Sequence, residues 1–125
     1  AFSLAGCATM HALSFPLGAN CQLAHGEAVY AVFAQTLQYY QKKHIPLCKL
    51  ENVLKDRPEG PCSISELKEL LSEIYPCPDF KALGINEGIC DTWAVSVYEK
   101  QQRLLANSPC VLSSGDLAAI YKSCI

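Results

Sequence analysis

The segment "SISELKELLSEIY" at 63–75 sets Ile64, Leu67, Leu70, Leu71 and Ile74 on one stripe at helical spacing. Ser63 stands three residues before Glu66, the spacing of a capping box. The same period returns in Val29, Val32, Phe33, Leu37 and Tyr40, in Ile89, Trp93, Val97 and Leu104, and in Leu117, Ile120 and Tyr121. No run of useful length alternates with the period of two that a half-buried strand needs. These patterns predict an all-α fold, a bundle of about six helices.

Breakers and caps divide the chain. Residues 1 to about 14 read as a first helix of small residues, and "FPLGAN" at 15–20 should stop it through Pro16 and Gly18. A second helix begins near Gly26 and ends at "HIP" at 44–46. Its charges suit the helix dipole, Glu27 in the first turn and Lys42 and Lys43 near the end. "LCKLENVLKD" suggests a short third helix, "RPEGPC" a loop, and "PCPDF" the close of the fourth helix. Asn86 can cap a fifth helix running to about Ala106. The last starts near Ser113 or Ser114, with Asp116 in its first turn.

With 125 residues, half of them apolar, the chain can build one domain with a packed core. A net charge of -2 without a basic stripe argues against a nucleic-acid surface. No apolar run reaches the roughly 18 residues of a membrane span. The opening "AFSLAGCATMHAL" is apolar from its first residue and has neither a basic leader nor an initiator methionine. It reads as the middle of a buried helix, so the 125 residues are expected to be a piece of a longer chain. Apolar surface around residues 1–14 would then make the piece associate with itself, and a homo-oligomer is expected.

The eight cysteines are scattered, and none forms a C-x-x-C pair. That removes thioredoxin-type and thiolate zinc motifs. Reduced thiols in a cytoplasmic protein are expected, most of them packed as small buried hydrophobes.

His11 and His25 lie 14 positions apart on either side of the expected break. They can meet if the link folds back and the two helices pack side by side. Paired imidazoles would be half of a site for iron, zinc or nickel. The competing reading is that each is a hydrogen-bonded core or near-surface histidine, and spacing alone does not choose. His44, beside Pro46, reads as solvent-facing and not a ligand. A nucleophilic pair of Cys7 or Cys21 with a histidine finds no local support for an oxyanion hole. Glu66 and Glu69 read as a solvated helix face, and no glycine-rich phosphate loop follows a strand.

The stretch from Gly6 to Ala28 resembles the second signature of the iron-containing (group III) alcohol dehydrogenases: His11, "PLG" at 16–18, His25–Gly26 and Ala28 recur in the family's order. "GCATMHALSFPLGANCQLAHGEAVYAVF" and "EKQQRLLANSPCVLSSGDLAAIYK" look like its 4-hydroxybutyrate dehydrogenase branch. The resemblance covers essentially the whole chain. It implies the C-terminal helical domain of a dehydroquinate synthase-like, iron alcohol dehydrogenase fold. An N-terminal α/β domain binding NAD or NADP would lie outside these residues.

It further implies His11 and His25 as two of four ligands to Fe2+ or Zn2+, with an aspartate and a histidine supplied from before this chain. The metal would polarise a small-molecule alcohol or aldehyde, with 4-hydroxybutyrate and succinate semialdehyde as the substrate pair. Alone, the 125 residues would be inactive. One departure is Phe15, where many relatives carry a second histidine near the nicotinamide. Phenylalanine cannot relay a proton. It can pack near nicotinamide or substrate, or it is simply a core aromatic. Lys100 and Arg103 could meet a substrate carboxylate, with solvated helix charges as the plainer reading. The alternative to an enzyme domain is a free-standing helical interaction module, or an inactive remnant.

Overall fold

The computed structural model describes residues 7–56, 59–61 and 63–125. Among the described residues there are seven helices and no strand: α1 (Cys7–Cys21), α2 (His25–Lys42), α3 (Cys48–Lys55), α4 (Ile64–Ile74), α5 (Glu87–Lys100), α6 (Gln102–Leu105) and α7 (Ser114–Lys122).

α1 is the central element. It packs on α2, α5 and α6, while α7 packs on α5 and α2. Its sequence has no broad polar face, the composition of a helix enclosed by others. Met10, Ala12, Leu13 and Leu17 are fully buried. Polar atoms in this interior are paired. Tyr40 Oη donates to Thr9 Oγ1 at 2.6 Å, and Thr9 Oγ1 pairs with Ser108 Oγ at 2.5 Å. Thr36 Oγ1 returns to the Val32 carbonyl at 2.7 Å.

The expected stop at "FPLGAN" is overturned, because α1 runs through Pro16 and Gly18 to Cys21. Pro16 has no N–H for the Ala12 carbonyl. Enclosure by three helices outweighs that loss, and Tyr121 Oη donates to the neighbouring Leu13 carbonyl at 2.6 Å. What ends α1 is Gln22, in the left-handed region with φ 55°. The link to α2 is therefore Gln22–Ala24. The expected helix from Asn86 to about Ala106 is also corrected: the backbone leaves the helical region at Gln101 (φ -114°) and restarts as α6. No glycine or proline marks that break.

The caps fall where expected. Ser63 Oγ accepts the Glu66 N–H, and Asn86 Oδ1 accepts the Ile89 N–H. Ser113 and Asp116 bond reciprocally at the start of α7. His44, exposed as expected, closes α2 in a Schellman turn: its N–H reaches Gln41 O and that of Ile45 reaches Tyr40 O, both at 3.0 Å. His44 holds φ 55° there. Glycine removes the Cβ cost of that conformation, so His44→Gly should raise the unfolding free energy read from urea denaturation by about 0.5–1 kcal/mol. Lys43→Gly, at φ -87°, should lower it. Equal behaviour of the two variants would show that the left-handed turn carries no cost.

Two surface expectations change. Residues 1–6 lie outside the described residues, as do the side chains of Cys7 and Ala8, but Thr9 to Ser14 are covered apart from a half-buried His11. Exposed apolar surface is found on α4 as well, whose stripe buries only Ile64 and leaves Leu70, Ile74 and the following Tyr75 in solvent. The cysteines are less uniformly buried than expected. Cys90 is enclosed, Cys21, Cys110 and Cys124 are partly covered, and Cys48 and Cys77 are exposed, all six as free thiols. Cys62 lies outside the described residues.

Candidate metal centre

α1 and α2 bring the two imidazoles together. His11 projects half-buried from α1, and His25 stands exposed as the first residue of α2. Their Nε2 atoms are 3.2 Å apart, with ring centroids 4.9 Å apart and planes inclined at 56°. In the absence of a third group, one Nε2–H can donate to the other Nε2. The separation has a second meaning. Two nitrogens bound at about 2.1 Å to one ion, at tetrahedral or octahedral angles, stand roughly 3.0–3.4 Å apart. The pair therefore fits two neighbouring corners of a coordination shell. Among the described residues no third histidine, cysteine, aspartate or glutamate completes a metal-holding group. The two helices do bring the imidazoles together, and no further group of that kind joins them among the described residues.

The start of α2 is braced by a carboxylate that sequence reasoning read only as a dipole partner. Glu27 Oε2 accepts the Ala24 N–H at 3.0 Å, and its Oε1 accepts from Tyr75 Oη at 2.6 Å. Those two bonds lower the Glu27 pKa, and the carboxylate raises that of Tyr75 in return. Tyr30 Oη donates to the Tyr75 carbonyl at 2.8 Å and meets its ring edge-on. Both Glu27 oxygens are thus engaged in holding the turn that carries His25. Nothing in the sequence pairs residues 27 and 75, which lie 48 positions apart.

Beside His25 opens an apolar groove of about 310 Å³, lined by Gly26, Glu27, Tyr30, Leu71, Ile74 and Tyr75. It is the space left by the poorly covered stripe of α4.

The other candidates fall as follows. Phe15 lies one turn beyond His11 on the same side of α1 and is 51% exposed, which overturns the core-aromatic reading. Lys100 and Arg103 are exposed on α5 and α6, Glu66 and Glu69 on α4, in keeping with solvated charges. Burial raises the Cys21 thiol, which is poor preparation for a nucleophile. The side chain of Cys7 lies outside the described residues.

Known proteins resemble this chain along its whole length. The model of the Fe-containing alcohol dehydrogenase family, C-terminal part, matches residues 1–125. The chain is 36% identical over 130 residues to a 4-hydroxybutyrate dehydrogenase of Clostridium kluyveri, covering 98% of this chain and 34% of that protein. It is 27% identical over 131 residues to long-chain-alcohol dehydrogenase 1 of Geobacillus thermodenitrificans, covering 98% and 33%. The chain thus spans about a third of the length of the curated relatives it matches. No solved structure matches. Among the described residues, no helix is long and apolar enough to cross a membrane.

Proposed function

Because the chain belongs to the Fe-containing alcohol dehydrogenase family, we propose that it is the metal-binding helical part of an NAD(P)-linked alcohol dehydrogenase acting on 4-hydroxybutyrate and succinate semialdehyde. The observation that carries the reading is the 3.2 Å approach of the His11 and His25 Nε2 atoms. In this reading both imidazoles are neutral, with the proton on Nδ1 and the Nε2 lone pair offered to Fe2+ or Zn2+. An aspartate and a third histidine come from a segment that precedes these residues. When bound, the metal supplies a Lewis acid for the substrate oxygen.

This chain's own residues position that chemistry. Glu27 fixes the first turn of α2, so His25 does not swing when the substrate arrives. Phe15, on the His11 side of α1, packs against the nicotinamide or the substrate chain and excludes water. It offers no proton path, so the alcohol proton leaves through water or another residue.

The 36% identity to a 4-hydroxybutyrate dehydrogenase favours a short substrate with a carboxylate. A second reading, a longer apolar alcohol, is favoured by the groove beside His25, whose lining is apolar apart from Glu27. Rates of NAD(P)H oxidation by the complete, metal-loaded protein separate the two. Succinate semialdehyde should exceed butanal by about 10-fold or more in kcat/KM, since a charge-paired carboxylate is worth a few kcal/mol. A rate that climbs with alkyl length while succinate semialdehyde stays slow would move the assignment to long-chain alcohols. No turnover of any alcohol or aldehyde would return the chain to the class of helical interaction modules.

A further inference from the structure

Two thiols from distant parts of the sequence converge on one backbone oxygen. Cys77 Sγ donates to the Ala31 carbonyl at 3.7 Å, and Cys124 Sγ lies 3.8 Å from the same oxygen while its S–H has a nearer acceptor in the Ile120 carbonyl at 3.4 Å. The sulfurs are therefore no farther apart than the sum of their two distances to the Ala31 oxygen. Burial raises both thiols, so exchange runs through a small thiolate fraction and quickens as the pH rises. Neither sits in a helix interior. Cys77 belongs to the connection between α4 and α5, and Cys124 follows the end of α7. Cys77 lies in irregular backbone, and Cys124 sits in the closing turn of α7, where its N–H bonds the Tyr121 carbonyl at 3.0 Å. Exposure differs in a useful way: Cys77 faces solvent, Cys124 is half-covered, and nearby Cys90 is enclosed.

We propose that Cys77 and Cys124 form a reversible disulfide with low-molecular-weight disulfides such as oxidised glutathione as the oxidant. The Cys77 thiolate attacks one glutathione sulfur, and the other leaves as a thiolate with the electron pair of the broken bond. The Cys124 thiolate then attacks the Cys77 sulfur and expels the second glutathione thiolate. The protein loses two protons and two electrons, and one glutathione disulfide becomes two thiols. The new bond fastens the connection after α4 to the end of α7, across α2. It lies two residues from Tyr75, whose hydroxyl holds Glu27 and the turn of His25. Oxidation thereby stiffens the flank of the groove.

Peptide mapping of the complete protein tests this. After exposure to excess oxidised glutathione, alkylation and non-reducing tryptic digestion, peptide 69–81 should be recovered linked to the peptide that begins at Ser123. Cys77 is the single cysteine of the first and Cys124 follows Ser123 in the second. More than half of peptide 69–81 should be in that form, and dithiothreitol should release it. Cys48, exposed at the start of α3, should yield only the mixed disulfide. Cys90→Ser should keep the link and Cys77→Ser should abolish it. Recovery of Cys77 solely as its glutathione adduct, or of Cys124 joined to Cys90, would overturn the proposal.

Discussion

Replacing His11 or His25 with alanine in the complete protein is expected to strip most of the bound metal and lower dehydrogenase activity by at least about 100-fold, with helix content retained. The size follows from what each imidazole is asked to do. An ion held by four groups loses a corner when one is truncated. The freed coordination position then fills with water and the affinity falls. Activity falls with it, because substrate polarisation depends on the ion being present and in place. Stability should change little. His25 is exposed and His11 only half-buried, so alanine leaves no sealed cavity in the core at either site.

The double variant sharpens the test. Residues that act as one unit are not additive, so His11→Ala with His25→Ala should be scarcely worse than either single change. Elemental analysis reads the ligand role directly, without reliance on turnover. Normal metal occupancy in both single variants would mean that the 3.2 Å contact is only a hydrogen bond between imidazoles, and the site assignment would be lost.

What the sequence disclosed about this site, and what it hid, has a physical explanation. Helical periods disclosed the all-α class, since burial of an apolar stripe acts through spacing that can be read directly. Local caps at Ser63, Asn86 and Ser113 were legible for the same reason: donor and acceptor lie three residues apart. The path of α1 was not. Pro16 and Gly18 are strong local breakers, but enclosure by α2, α5 and α6 and a donor from Tyr121, 108 positions away from Leu13, override them. The terminator is Gln22, a residue with no preference for the left-handed region that would give it away. The brace at His25 was hidden likewise, because Glu27 meets Tyr75 only through tertiary structure. Even α4, the clearest helix in the sequence, misled in one respect. Its apolar stripe predicts burial, yet only Ile64 is fully covered, and Leu71 and Ile74 line an open groove.

Tyr121→Ala should be among the most damaging single changes in the core, costing about 3–5 kcal/mol. Tyr121 is fully buried, its ring meets Trp93 edge-on at a centroid distance of 5.8 Å, and its hydroxyl reaches the Leu13 carbonyl. Burial pushes that hydroxyl far above its ordinary range, so it stays a donor at every pH at which the fold survives. Tyr121→Phe keeps the ring and removes only the donor, and should cost about 1–2 kcal/mol. Denaturant unfolding of both variants then divides packing from hydrogen bonding. The proline supplies a further step. If its ring is what turns the carbonyls of the preceding turn toward an outside donor, the cost of Tyr121→Phe should shrink in a Pro16→Ala background, where the helix can satisfy them itself. Equal costs in both backgrounds would make the hydroxyl and the proline independent. A loss below about 1 kcal/mol for Tyr121→Ala would mean that α7 does not hold the histidine-bearing helix in place. The integrity of the His11 site would then have to rest on α2, α5 and α6.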